Sequence, residues 1–106
     1  MKAALDKIRG CLLAGAAGDA LGYPVEFVSA RGMKGRCGEQ GVTEYSLRGG
    51  LALISDDTQM SLFTANGLLS AAERGVPSGR AADTVFTAYL DWYRTQTCAY
   101  PLPDVH

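Results

Sequence analysis

The 106-residue chain is nearly without histidine, its one copy being the last residue, His106. A terminal side chain is poorly held for a Ser-His-Asp triad or a metal ligand set, so both classes are poor readings. Cysteine is sparse too. Cys11, Cys37 and Cys98 are odd in number, far apart and without a C-x-x-C pair, which argues against a zinc site or a disulfide framework and for free thiols in a reducing cytosol. Neither sign of charge is in excess: 10 basic against 11 acidic residues leave a net charge of -1, and no run of one sign occurs. The electrostatic footprint of a nucleic-acid binder is missing, and no nucleic-acid partner is expected. Long apolar runs are absent as well. Lys2, Lys7 and Arg9 before the run Cys11 to Ala17 resemble the start of a secretion signal, but Asp6 and Asp19 bracket that run. It is far short of the ~20 residues that a membrane span needs, so neither secretion nor a membrane is expected and the cytoplasm is the expected setting. No G-x-x-x-x-G-K-[ST] loop and no G-x-G-x-x-G turn opening a helix is present.

What the chain has is a soluble globular composition, 47% apolar and 20% charged residues, at a length that suits one domain spanning residues 1–106. A chain of this size buries only about two-thirds of its unfolded surface, so the core is thin. Ala4, Leu5, Ile8, Cys11, Leu12 and Ala16 recur at helical spacing and predict a helix over about 3–21. Pro24 disfavours helical geometry at Tyr23, which places its end near Gly22. Gly15, Gly18 and Gly22 share one side of it. Each costs roughly 1 kcal/mol of helix propensity against alanine, so their place calls for a reason such as close approach of a backbone or a ligand. From Tyr23 to Leu53, Gly32, Gly35, Gly38, Gly41, Gly49 and Gly50 mark a long irregular connection. A second helix is predicted over about 56–73, ending before Gly75 and Pro77. Met60, Leu62, Phe63, Ala65, Leu68, Leu69, Ala71 and Ala72 cover most of its circumference, so burial nearly all round is expected. A third helix over about 80–95 carries Val85, Phe86, Tyr89, Leu90, Trp92 and Tyr93, an aromatic stripe that reads as core. The segment Thr97 to His106, with Pro101 and Pro103, has no pattern. The fold class is all-α, with about three helices joined by a Gly-rich connection.

Two stretches could carry chemistry. In Ser55-Asp56-Asp57-Thr58, Asp56 suits an N-cap with Gln59 closing a capping box, and acidic residues suit the positive end of a helix dipole. The same adjacent carboxylates and hydroxyl are hard oxygen donors of the kind Mg²⁺ or Mn²⁺ prefers, and one carboxylate can cap and ligate together. In Gly18-Asp19-Ala20-Leu21-Gly22-Tyr23-Pro24-Val25-Glu26-Phe27, Asp19 lies on the small-residue face of an apolar helix. It reads as a buried polar anchor bonding to a neighbouring loop, with a functional carboxylate as the alternative. Glu26 stands between Val25 and Phe27, where apolar neighbours would raise its pKa and suit it to proton transfer. An ordinary solvent-facing glutamate is the alternative reading.

Together the run Gly10 to Gly22 with Pro24-Val25-Glu26-Phe27, followed by Ser55-Asp56-Asp57-Thr58-Gln59-Met60, resembles the opening motifs of the ADP-ribosylglycohydrolase family. Gly41-Val42-Thr43-Glu44-Tyr45 and Tyr89-Leu90-Asp91-Trp92-Tyr93 are similar to its N-terminal region too, so the likeness runs to about Thr95. The resemblance implies an all-α fold and two bound Mg²⁺ or Mn²⁺ ions that grip the ribose of ADP-ribose. It implies hydrolysis of the N- or O-glycosidic bond to an acceptor, with an ADP-ribosylated protein or a small ADP-ribose conjugate as partner. Matched residue by residue, it implies Ser55, Asp56 and Asp57 as metal ligands, Glu26 as the loop glutamate near the scissile bond, and Glu26 and Asp57 as the catalytic residues. Asp19 matches the family's Gly-Asp pair. The family's domain is more than twice as long, and its second ligand cluster, of Asp-x-Asp-[Ser/Thr] type, has no counterpart here. Two near-octahedral ions need on the order of twelve donor positions. The expectation is therefore an N-terminal portion holding half of a site and inactive alone. A non-catalytic ADP-ribose-binding or crystallin-like structural member is the alternative.

Overall fold

A computed structural model describes residues 1–99 and 102. Most of the patternless segment expected after Thr97, and His106 with it, lies outside the described residues. Four α-helices occur among the described residues: α1 Lys2–Gly22, α2 Ala30–Cys37, α3 Asp56–Glu73 and α4 Ala81–Thr95. Two antiparallel strands of two residues, β1 Leu47–Arg48 and β2 Leu51–Ala52, pair Leu47 with Ala52 and Arg48 with Leu51. The class is all-α, as the helical spacing requires. Two compact units make up the chain, Met1–Thr58 and Gln59–His106, and α3 begins in the first and has most of its length in the second.

In the first unit, α1 ends at Gly22, but Pro24 does not force Tyr23 out of helical geometry. Tyr23 keeps φ -59° and ψ -32°, and the chain continues through one tight turn, Tyr23–Val25, closed by Glu26 N–H donating to Tyr23 O at 3.1 Å. Proline lacks the N–H that a first-turn residue would leave unused, so it fits there. The connection expected to be irregular contains α2. Ser29 caps it by accepting from Gly32 N–H at 3.1 Å, and Lys34 and Arg36 occupy its last turn, where the dipole favours cations. Gly49 and Gly50, at φ 57° and 80°, form the two-residue turn between β1 and β2. Positive φ at both centres matches the twist of a tight hairpin, which explains the Gly-Gly pair.

In the second unit, α3 ends in a closed cap: Gly75, at φ 66°, donates to Ala72 O at 3.1 Å and Val76 donates to Ala71 O at 2.9 Å. A short turn, Ser78–Arg80, leads into α4. Gly67 on α3 lets α4 come close, since a Cβ at Gly67 would lie 2.7 Å from Val85 Cα. Ala71, Ala88 and Asp91 are buried, and Asp91 pairs with Arg94 at 3.4 Å. Thr64 Oγ1 and Tyr89 Oη are 2.6 Å apart, and Trp92 Nε1 donates to Gln59 Oε1 at 3.1 Å. These bonds satisfy the polar tips of the half-buried aromatics.

The expected burial is only partly formed. Leu62, Leu68 and Leu69 of α3 are exposed, the last at 65%, so α3 is not enclosed all round. Phe86 and Tyr93 of α4 are also exposed, while Tyr89 and Trp92 are half-buried. One packed helix covers one stripe of its neighbour and leaves the rest of the circumference open. No helix among the described residues is long and apolar enough to cross a membrane.

Candidate functional site

The site grows from the start of α3. Asp56 is its first residue, so Ser55 takes the cap position that the sequence assigned to Asp56. Ser55 Oγ accepts from Asp57 N–H at 3.2 Å, and serine is among the preferred caps because its oxygen reaches an orphan donor of the first turn. Gln59 does not close a capping box; its Oε1 accepts from Trp92 and from Gln96 Nε2 at 3.2 Å. Asp56 and Asp57, both exposed, stand in the first turn, where the helix dipole favours their charge.

Asp19 of α1 ties that helix start down, as an anchor. Its Oδ1 accepts from Ser55 Oγ at 2.7 Å, and its Oδ2 accepts from Ser55 N–H at 2.8 Å and from Thr58 Oγ1 at 2.5 Å. Both carboxylate oxygens are used, across a sequence gap of 36 to 39 residues. Thr58 is buried and lies three residues after Ser55, on the same side of the first helical turn. That spacing was the available signal for its role, which the sequence reading did not draw.

Burial pushes the Asp19 pKa up, but the hydrogen bonds from Thr58 and Ser55 outweigh it and hold the carboxyl below its ordinary value of 3.8. A carboxylate with a depressed folded pKa contributes stability that is fully present above its unfolded pKa and lost as pH falls through the lower folded one. Wild-type protein is therefore expected to lose stability below about pH 4 more steeply than Asp19→Asn, measured by urea unfolding at stepped pH. Equal slopes would show that Asp19 is not part of the acid response.

An open cleft of about 250 Å³ lies beside this clamp, lined by Gly18, Asp19, Gly22, Tyr23, Glu26 and Asp57. It brings together Glu26 and Asp57, the two residues expected to act on the substrate. Ser55 and Asp56 are not among the lining residues. Glu26 is exposed and its neighbour Phe27 is 94% exposed, so the apolar enclosure expected around Glu26 is not formed. Gly18, Gly22 and Tyr23 were not foreseen as lining. No described atom comes within 4 Å of a Cβ built at Gly15, Gly18 or Gly22. Close approach of another backbone, one of two reasons offered for these glycines, therefore does not account for them. Among the described residues no group of three or more His, Cys, Asp and Glu side chains could hold a metal ion. The donors at the helix start suit a hard cation in kind and fall short in number.

A family model for ADP-ribosylglycohydrolase matches residues 1–105. The chain belongs to the ADP-ribosylglycohydrolase family. It is thus a member of a glycosyl hydrolase family that acts on ADP-ribosylated substrates. No curated protein and no solved structure matches the chain. The cleft thus gathers three carboxylates, those of Asp19, Glu26 and Asp57, beside Gly18 and Gly22 of α1.

Proposed function

We propose that this chain provides part of a metal-dependent ADP-ribose site that cleaves the N- or O-glycosidic bond between ADP-ribose and its acceptor. The observation that carries the reading is the cleft shared by Glu26 and Asp57 next to the clamped Ser55. Ser55, Asp56 and Asp57 would hold Mg²⁺ or Mn²⁺, their oxygens being the hard donors such ions take. The bound ion would supply a positive charge that orients ribose hydroxyls and makes a bound water more acidic. Glu26, exposed and lining the cleft, would hold or pass a proton at its carboxylate. Asp57 has its backbone N–H committed to Ser55, which fixes where its side chain leaves the helix. Gly18 and Gly22 leave the floor of the cleft free of side chains. Two ions would need about twelve donor positions, more than these three residues supply, so substrate and water oxygens would have to fill much of the shells. The reading includes a cytoplasmic setting, in which Cys11, Cys37 and Cys98 stay free thiols.

The same shortage of donors favours a second reading, ADP-ribose binding without turnover. Calorimetry of the full chain with ADP-ribose, with and without Mg²⁺, tests both. Binding is expected only with Mg²⁺, and Asp56→Asn/Asp57→Asn should weaken it on the order of tenfold or more. Binding that ignores the metal, or no binding at all, sinks the metal site. Release of ADP-ribose from an ADP-ribosylated protein then separates hydrolysis from binding alone.

A further inference from the structure

We propose that Asp19 is a positioning residue that turns the Ser55 hydroxyl proton away from the cation and so leaves a Ser55 lone pair for it; this rests on the metal reading above. A serine hydroxyl has one proton and two lone pairs, and an ionised carboxylate can only accept. The bond of 2.7 Å between Ser55 Oγ and Asp19 Oδ1 therefore uses the Ser55 proton. Asp57 N–H, at 3.2 Å, takes one lone pair. One lone pair is left. Without Asp19 nothing described fixes the hydroxyl proton, and the hydroxyl would be free to rotate; a hydroxyl hydrogen facing a cation repels it. The bonds from Ser55 N–H and Thr58 Oγ1 to Asp19 Oδ2 lock the carboxylate itself, so the hydroxyl is oriented before any ion arrives. Metal sites gain affinity from such partners of their ligands.

The chemistry of Asp19→Asn gives a sharp test. Ser55 N–H is a fixed donor, so the carboxamide oxygen must face it and Thr58, and the amide nitrogen must then face Ser55 Oγ. The clamp survives with three hydrogen bonds, but the amide now donates to Ser55, occupies its last lone pair and turns its proton outward. A merely structural Asp19 predicts that metal affinity follows stability. Positioning predicts that the two part company.

The experiment titrates Mn²⁺ by electron paramagnetic resonance into the full chain as wild type, Asp19→Asn, Thr58→Val, Ser55→Ala and Asp19→Asn/Ser55→Ala, with urea unfolding alongside. Asp19→Asn is expected to lower Mn²⁺ affinity on the order of 10- to 100-fold while costing no more stability than Thr58→Val. It should cause no further loss once Ser55 is alanine, which separates orientation from the removed charge. Thr58→Val removes one of the two bonds to Asp19 Oδ2 and leaves the carboxylate accepting from Ser55, so it should cost stability and lower Mn²⁺ affinity clearly less than Asp19→Asn does. An equal loss from Asp19→Asn with and without Ser55 overturns the proposal. If the wild-type chain takes up no Mn²⁺, the metal reading itself fails, and the Ser55 hydroxyl proton decides the positioning claim by nuclear magnetic resonance. Protection in wild type that is lost in Asp19→Asn supports it, and the same behaviour in both overturns it.

Discussion

Gly67→Ala should destabilise the second unit although it raises helix propensity. Alanine in a helix interior gains about 1 kcal/mol over glycine, and an exposed site would show that gain. At Gly67 the added methyl would sit 2.7 Å from Val85 Cα and 3.2 Å from both Ala88 Cβ and Val85 Cγ2. The nearest of these is backbone, which cannot swing aside as a flexible side-chain end does. α4 must move as a body. That movement strains the Thr64–Tyr89 and Trp92–Gln59 bonds, which tie the same two helices. Overpacking typically costs about 1–3 kcal/mol, and a backbone collision belongs at the upper end, so the net loss is about 2 kcal/mol after the propensity gain. Urea unfolding followed through Trp92, the one tryptophan, measures it. Stability equal to or above wild type would show that α4 does not approach α3 at Gly67.

Gly18→Leu is expected to do the opposite: keep or raise stability and weaken ligand binding. Gly18 lies within α1 with no described atom within 4 Å of its Cβ position, so the added Cβ meets no clash, and a helix former there gains up to about 1 kcal/mol of propensity. Yet Gly18 lines the cleft with Glu26 and Asp57, and a leucine side chain would take up space in a cavity of about 250 Å³. ADP-ribose affinity should fall on the order of tenfold or more, equivalent to about 1.4 kcal/mol. Gly22→Leu should weaken binding likewise, with a smaller gain in stability because Gly22 is the last residue of α1. Gly15→Leu is the control. Gly15 also has open space around it but does not line the cleft, so it should gain stability and keep affinity. Stability trading against function in this way is common at sites that need an unfilled surface. If Gly18→Leu and Gly15→Leu bind ADP-ribose equally well, the cleft is not where the ligand sits.

How much of this could be read from the residues varies with how local the cause is. The three long helices were legible because apolar side chains recurring every three to four residues report one face of a helix. The limits of α3 were legible because acidic residues open it and Gly75 closes it. α2 was missed because Gly32 and Gly35 inside it lower its propensity. Its signals, Ser29 as cap and two basic residues in its last turn, are weak when eight residues carry them. The cap of α3 was assigned to Asp56 instead of Ser55 for a different reason. Either side chain suits the position, and what selects Ser55 is a carboxylate 36 residues earlier in the chain.

By itself, then, the sequence determined the helical class, the kinds of oxygen donor gathered at Ser55, Asp56 and Asp57, and membership of the family, because periodicity, residue chemistry and motif order are local properties. Only the tertiary structure decided that Asp19 spends both its oxygens on Ser55 and Thr58, that Glu26 and Asp57 share a cleft, that Gly67 admits Val85, and that Leu69 and Phe86 stay uncovered. Each of these depends on which segments distant in sequence meet, and the pattern along one segment does not encode its partner.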